Sequence, residues 1–459
     1  MAILPIDAKR YGSEEIRAIF EEKERLKRLL LVEAEVARIQ AKLNLIPEDA
    51  AEEIARKALS GKITVDAWRQ KEKEVGHEVG ALVELLVQLC SKEAKPFVHY
   101  GLTSNDVLDT ATSLQIRDAL SIIEERVRTL VGLLSELALK YENLPAAGRT
   151  HGQYASIIPF GLRFAVWAEE FDMHIKRLEE IRPRVLLCKV LGAVGTGSLM
   201  GAKALDVQRE VAARLGLYPV LAATQVVARE RLAELVSFLA LLSSTMERVA
   251  VTLRLLQRAE VEEVEEPFGK AQIGSSAIPA KRNPIGLEKV TSHARLVRAL
   301  SITALENVAL WEERDLTNSA NERTVIPTSL IITEDALLTL ERVIRNLRVF
   351  KEKVLENVRK GEWSLFAEAL LNSLLKRGMP RNKAYRLIQE LSWKAKQAGG
   401  YLRLYERDAK LKHYFSKEEL VKLLDPYTQL EAGKEVLQQI IKGLRSNVTR
   451  DALSGHLSS

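Results

Sequence analysis

Residues 220–266 contain neither Gly nor Pro. Apolar residues recur within them at Leu232, Leu235, Val236, Leu239, Leu242, Met246, Val249, Leu253 and Leu256. Steps of three and four are the period of an α-helix. Phe238, Leu241, Val251 and Leu255 widen the stripe, and a helix apolar around most of its girth is buried on several sides. One narrow bundle covers so wide a stripe poorly, so the pattern predicts a helix that also packs against other subunits; the plainer alternative is the core of a long bundle.

Residues 287–326 and 328–360 also lack Gly and Pro and exceed the usual helix of about 11–12 residues. A further long helix is predicted over 104–140, interrupted only by Gly132, with Ser104 as N-cap and Asp106 at the positive end of the dipole. Another runs over 160–181 and stops before Pro183. Before residue 102 the pattern is broken by Pro5, Pro47, Gly61, Gly76 and Pro96, and after 350 by Gly361, Gly378, Pro380, Gly399, Gly400 and Pro426. The prediction is an all-α protein of three helical domains. They are an N-terminal domain over 1–102, a central long-helix bundle over 103–345 that assembles into a multi-subunit helical core, and a C-terminal domain over 346–459.

Composition narrows the class. The 459 residues hold 24 Gly and 13 Pro, below the usual ~7% and ~5%, which disfavours a many-stranded β fold. Lys and Arg number 68 against 62 Asp and Glu, a net +6, with no run of five like charges, so no nucleic-acid-binding module is expected. Cys90 and Cys188 cannot build a disulfide framework. The start, MAILPIDAKRYG, does not read as a signal peptide, and the richest apolar runs are too short or interrupted for a membrane span. A cytoplasmic, reducing location is the expectation. The seven histidines show no HExxH spacing, and neither a dinucleotide fingerprint nor a P-loop occurs, so no metal and no organic cofactor is expected.

Chemistry concentrates in loops. GSSAIPAKRNP, residues 274–284, gathers Ser275, Ser276, Lys281 and Arg282, with Asn283 and Pro284 as N-cap and first position of a helix running to Ile326. Such a loop binds anions or lowers a serine's pKa; the alternative is a capped loop with surface charges. AAGRTHGQYA, residues 146–155, sets His151 among Arg149, Thr150 and Gln153, which can fix its tautomer for proton transfer. VHYGLTSNDVLDTATSLQ, residues 98–115, places Thr103 and Ser104 at a helix start; alone it reads as a cap. In LWEERDLTNSANER, residues 310–323, Arg314, Ser319 and Arg323 suit a phosphate. The two arginines share no helical face unless the helix breaks between them; alone the stretch reads as solvated charge.

Together these segments resemble the fumarase/aspartase superfamily, whose signature loop commonly reads GSSxMPxKxNP. GRTHGQYA and HYGLTSNDVLDTA resemble its two other characteristic regions. Arg10 and Tyr11, His77-Glu78-Val79, TQVVARER (224–231), LLQRAEVEEVEEPF (255–268) and WEERDLTNSANER are most similar to the branch that acts on succinylated purine nucleotides. The resemblance implies an all-α homotetramer with active sites shared between subunits, no cofactor, and elimination of fumarate from small-molecule nucleotide substrates. It implies Ser275 as general base and His151 as general acid. His77 would be a second histidine orienting substrate, Glu288 an acidic partner near the general acid, and Lys281, Ser276 and Asn283 stabilisers of the anionic intermediate. Thr103, Ser104 and Gln225 would hold the succinyl carboxylates; Arg10, Tyr11, Arg314, Ser319 and Arg323 the nucleotide, with Glu78 and Arg282 among the substrate contacts. Departures from the common pattern include Ile278, Ala280, Ala271, Ile157, Glu78, Glu230, Glu312 and Asn318; none removes a catalytic group. Other lyases of the superfamily, such as argininosuccinate lyase or a carboxymuconate cycloisomerase, and a non-catalytic structural member, are the alternatives.

Overall fold

The computed structural model describes residues 4–454, with side chains as far as 445. Short helices open the chain: α1 (Glu14–Ile19), α2 (Glu22–Lys42), α3 (Glu48–Ala58), α4 (Val65–Val75) and α5 (Glu78–Leu89). Long ones follow: α6 (Ser104–Lys140), α7 (Leu162–Val185), the shorter α8 (Ala204–Leu215), α9 (Glu230–Leu256), α10 (Ile285–Glu306) and α11 (Ser319–Arg345). Short helices return as α12 (Lys351–Lys360), α13 (Glu362–Leu365), α14 (Ala367–Lys376), α15 (Arg381–Ala398), α16 (Tyr401–Tyr405), α17 (Ala409–Tyr414), α18 (Lys417–Leu423) and α19 (Glu431–Ser454). Among the described residues six short strands, β1 (Pro145–Thr150), β2 (Gln153–Pro159), β3 (Leu187–Cys188), β4 (Tyr218–Pro219), β5 (Val264–Glu265) and β6 (Arg348–Val349), pair two by two. The all-α class holds.

The helix over 104–140 forms with the expected bounds. Three other expectations need correction. α7 does not stop before Pro183 but carries it in its last turn, where a missing N–H costs the ladder one bond. The helix expected from Pro284 to Ile326 is two helices, broken over 307–318, and α11 continues through Pro327. In the break, Asp315 accepts the amides of Trp311 and Thr317 at 2.5 and 2.7 Å, and Asn307 and Asn321 exchange side-chain hydrogen bonds of 2.6 and 2.8 Å. Short polar side chains of this kind compete with the helical ladder. Asn283 does not cap α10: the Glu266 carboxylate accepts from the amides of Gly286 and Leu287 at 2.9 and 3.0 Å.

Among the described residues, one helix, α9, is long and apolar enough to cross a membrane, and 56% of its most apolar window is buried inside the fold. Glu247, Arg248 and Arg254 interrupt its second half, as suits a bundle core.

The described chain divides into two discontinuous compact units, one over 1–127, 174–247 and 289–338, the other over 128–173, 248–288 and 339–459. Compactness therefore partitions the chain differently from helix length, which suggests three consecutive segments.

In the first unit α2, α3, α4 and α5 pack around Leu26, Leu29, Ile54, Trp68 and Leu82. Its most constrained polar feature is the pair Asp106–Lys189, both fully buried, at 2.7 Å. Asp106 also accepts the amides of Thr103, Leu191 and Gly192 at 2.8, 3.0 and 3.0 Å, and Lys189 donates to the Gly192 carbonyl at 2.7 Å. The start of α6 is thereby tied to the loop after β3. In the second unit Tyr141, Phe160, Phe164 and Trp167 form an aromatic ladder with successive centroids 5.8, 5.8 and 5.4 Å apart. A separate core of Leu370, Leu374, Ile388, Leu391, Tyr401 and Phe415 holds the C-terminal helices.

Lys189→Met leaves the buried Asp106 carboxylate without its counter-ion. Chemical denaturation is expected to show a loss of about 3–5 kcal/mol, and adding Asp106→Asn to that variant to recover part of it.

Candidate active site

In the first unit a cavity of about 210 Å³ is lined by Arg25, Arg69, Glu78, Arg314, Ser319 and Arg323, with Asp109, Arg229 and Glu322 behind them. The break after α10 lets Arg314, in the loop, and Arg323, in α11, face the same space. Buried Glu78 pairs with Arg25 and, at 3.0 Å, with Arg323. Burial opposes its ionisation, but the hydrogen bond and charge of Arg25, with the charges of Arg323 and Arg69, hold its carboxyl below the usual range. Arg229 is buried between Asp109 at 2.5 Å and Glu322 at 3.2 Å. Burial lifts the Glu322 carboxyl above its usual value against the pull of Arg229.

Among the described residues, Arg314 has no carboxylate partner. Its Nη1 donates to Asn318 Oδ1 at 2.6 Å, while its Nε is buried without a hydrogen bond. Burial, then the neighbouring Arg229 charge, lower its pKa from the ordinary value. A guanidinium so placed can take up an anion.

His77 is the N-cap of α5: its Nδ1 accepts the Gly80 amide at 2.9 Å. In the neutral ring the proton then sits on Nε2, which lies 3.4 Å from Ser104 Oγ at the start of α6. The structure thus brings His77, Thr103 and Ser104 to one helix N-terminus. Tyr11 packs edge-on to His293 at 4.8 Å with Lys289 over its ring at 5.3 Å, and Arg10 is exposed beside it. Gln225 does not line the cavity; its amide donates to the Glu313 carbonyl at 3.3 Å, next to Arg314.

In the second unit His151 occupies the tip of an antiparallel hairpin of β1 and β2, which the all-helical expectation missed. The two-residue loop has φ of 52° at His151 and 74° at Gly152, the type I′ geometry that matches strand twist. At the bulge between Ala147 and Arg149 a Cβ on Gly148 would lie 2.8 Å from the Ser156 carbonyl, so only Gly fits. Ser275 Oγ accepts the amides of Ile278 and Ala277 at 3.2 and 3.4 Å. Two N–H groups aimed at one oxygen favour its anionic form. Asn283 Nδ2 donates to the Gly274 carbonyl at 2.9 Å, closing the neck of the loop. Ser276 and Lys281 are exposed on that loop. Arg282 is taken up by Glu265 at 3.0 Å and lies over the Phe268 ring at 5.3 Å. Glu288, one turn into α10, is exposed and 3.8 Å from Arg254. Among the described residues, no hydrogen bond joins His151 to Ser275.

The sequence analysis did not single out Asp109, Arg229 or Glu322. All three lie inside the distinctive segments, HYGLTSNDVLDTA, TQVVARER and WEERDLTNSANER, where a charged residue in each was the available signal.

A family model described as lyase matches residues 10–299. Among solved structures, a fumarate lyase from Mesorhizobium sp. BNC1 superposes with a TM-score of 0.86 at 31% identity, covering 94% of this chain and 98% of that one. The 3-carboxy-cis,cis-muconate lactonizing enzyme from Pseudomonas putida does so with 0.86 at 28% identity, covering 96% and 98%. Fold and site thus define a lyase of the fumarase/aspartase type. A second model, for the C-terminus of adenylosuccinate lyase, matches residues 364–440. The adenylosuccinate lyase of Methanocaldococcus jannaschii is 39% identical over 449 residues, covering 97% of each chain. That of Pyrococcus abyssi is 39% identical over 442 residues, covering 96% of this chain and 98% of its own. The chain belongs to the adenylosuccinate lyase family of the fumarase/aspartase superfamily, and it is a C–N lyase.

A Cβ at residue 274 would lie 1.9 Å from the Lys281 carbonyl oxygen. Gly274→Ala is expected to open the neck of the Ser275 loop and lower turnover by on the order of 10²-fold, with the helical circular dichroism unchanged; near-normal turnover would show that the neck does not matter.

Proposed function

We propose that the chain eliminates fumarate from adenylosuccinate, leaving AMP, and from the succinylaminoimidazole-carboxamide ribotide of purine synthesis. The observation that carries this reading is Arg314, half-buried and, among the described residues, without a carboxylate partner, in a cavity where five arginines face four carboxylates. A phosphate dianion supplies the missing partner. Arg323 and Ser319 join it there, with Arg10 and Tyr11 on the nucleotide. Thr103 and Ser104, at the positive end of α6, suit the succinyl carboxylates, with His77 orienting the substrate; Gln225 shares that role.

Ser275 removes the proton from the succinyl carbon next to a carboxylate. The C–H electron pair becomes the second bond of fumarate, and the C–N pair leaves on nitrogen, which takes a proton from His151. Glu288 supports the acid, and Ser276, Lys281 and Asn283 stabilise the charge that builds on the carboxylate. The amides of Ala277 and Ile278 already favour a charged Ser275 oxygen. A homotetramer with shared active sites, in the cytoplasm, goes with this reading. Ile302 and Leu305, three residues apart and so on one side of α10, are exposed apolar side chains that suit a second copy.

Purified protein is expected to release fumarate from both nucleotides and not from argininosuccinate; no release from adenylosuccinate would refute the proposal. Ser275→Ala and His151→Ala should each lower turnover by about 10²–10⁴-fold with the assembly intact. Arg314→Met should raise KM for the nucleotide far more than it lowers kcat.

A further inference from the structure

Three acids in one short stretch, Glu263, Glu265 and Glu266, send their carboxylates to three different pieces of the second unit. Glu263 is fully buried, and its Oε1 accepts from Arg149 Nη2 at 2.7 Å and from Asn357 Nδ2 at 3.0 Å. Arg149 stands on β1 two residues before His151. A second guanidinium, Arg163, donates to the Ala147 carbonyl of the same strand at 2.8 Å. Burial pulls the Arg163 pKa down to about 10, against the attraction of Glu263. Glu265 accepts from Arg282, in the Ser275 loop, at 3.0 Å and from Arg348 at 2.7 Å. Glu266 takes the amides of Gly286 and Leu287, where the loop ends and α10 begins.

The backbone of the stretch is itself fixed. Val264 pairs with Val349 and Glu265 with Arg348, and the Phe350 amide donates to the Glu263 carbonyl at 3.0 Å. The hairpin that bears His151 and the loop that bears Ser275 are thus attached to one short strand, by ion pairs and by amide-to-carboxylate hydrogen bonds. Packing alone would not call for this arrangement. Glu263 Oε2 and Arg163 Nη1 are buried without hydrogen bonds, a cost that an apolar filling of the same space avoids.

We propose that Glu263, Glu265 and Glu266 are positioning residues for the elimination. Glu263 sets the hairpin for protonation of the departing nitrogen, and Glu265 and Glu266 set the loop for proton abstraction. The inference rests on the roles given above to His151 and Ser275.

The experiment uses the full chain and adenylosuccinate carrying deuterium at the carbon whose C–H bond breaks. Glu263→Gln and Glu266→Gln keep shape and hydrogen-bonding reach but remove the charge. Each is expected to lower kcat by about tenfold or more with KM little changed. In Glu263→Gln the deuterium isotope effect should fall toward one, because protonation of nitrogen becomes limiting. In Glu266→Gln it should rise, because C–H cleavage becomes limiting. A lowered kcat with the isotope effect unchanged in both variants would mean only a smaller active fraction and would overturn the proposal, as would an unchanged kcat. Should Glu263→Gln fail to fold by circular dichroism, Arg149→Gln removes the same contact from a half-buried side chain and is read the same way. Ser275→Ala and His151→Ala, assayed alongside, separate the two levels. Near-normal turnover in either sinks the role assigned to that residue. Opposite isotope shifts in the glutamate variants would still support the strand as the positioning element, with another group on the hairpin or loop moving the proton.

Discussion

Where a chain leaves a helix its backbone amides lose their ladder partners, and where water is also excluded they need an acceptor from the protein. In this chain the acceptor is repeatedly a buried carboxylate. Asp106 takes the amides of Thr103, Leu191 and Gly192; Glu266 takes those of Gly286 and Leu287; Asp335 and Glu334 take those of Gly12 and Ser13 at 3.0 and 2.9 Å. Each such carboxylate must in turn be compensated. Lys189 does so for Asp106, and Lys289 and His293 for Asp335 at 2.6 and 2.8 Å. Glu266 sits at the positive end of α10, and even so burial holds its carboxyl above the usual range. Hydrophobic contact holds helices together without direction. These directional contacts are what fix the non-helical segments, and the proposed reacting groups lie in those segments.

The same requirement shapes the cavity of the first unit. Glu78 lies between two arginines and Arg229 between two carboxylates, so those charges cancel locally. Arg314 is left over. Its partial desolvation without a carboxylate is a cost in the free protein that a bound anion would offset, which would favour a charged ligand. The net +6 of the whole chain reports little of this; one half-buried guanidinium without an ion pair among the described residues matters more locally than a surplus spread over the surface.

The helices were legible because Gly and Pro are scarce and the apolar period is sustained, as in α6. The hairpin was not. Its first strand, PAAGRT, has small residues and no apolar–polar alternation, and its turn depends on a His in a positive-φ position, which a sequence pattern does not reveal. The break over 307–318 was missed because it contains no Gly or Pro and is enforced by Asp315, Asn307 and Asn321. The groups proposed to react could be named from their loops, since Ser275 and His151 sit in distinctive motifs. Their anchors could not: Arg149 and Glu263 are 114 residues apart, and Arg323 and Glu78 are 245 apart. Pairings at such separation exist only once the fold does.

A fumarate lyase and a lactonizing enzyme match this backbone with the same TM-score of 0.86, so the scaffold alone does not choose the reaction. What distinguishes members must lie in side chains added to a common frame. Removing a proton next to a carboxylate needs a stabilised base and donors for the developing charge; in the proposed mechanism the Ser275 loop would supply both without reference to what the nitrogen carries. Recognition of a phosphate-bearing leaving group would need a separate cation, and the residues proposed for it, Arg314, Ser319 and Arg323, lie on a different stretch of chain, anchored by Asn318 and Glu78 rather than by Glu265 and Glu266. Two independent sets of anchors mean that the identity of the substrate can change while the geometry of proton transfer stays fixed. That separation gives one helical frame a physical basis for serving several eliminations.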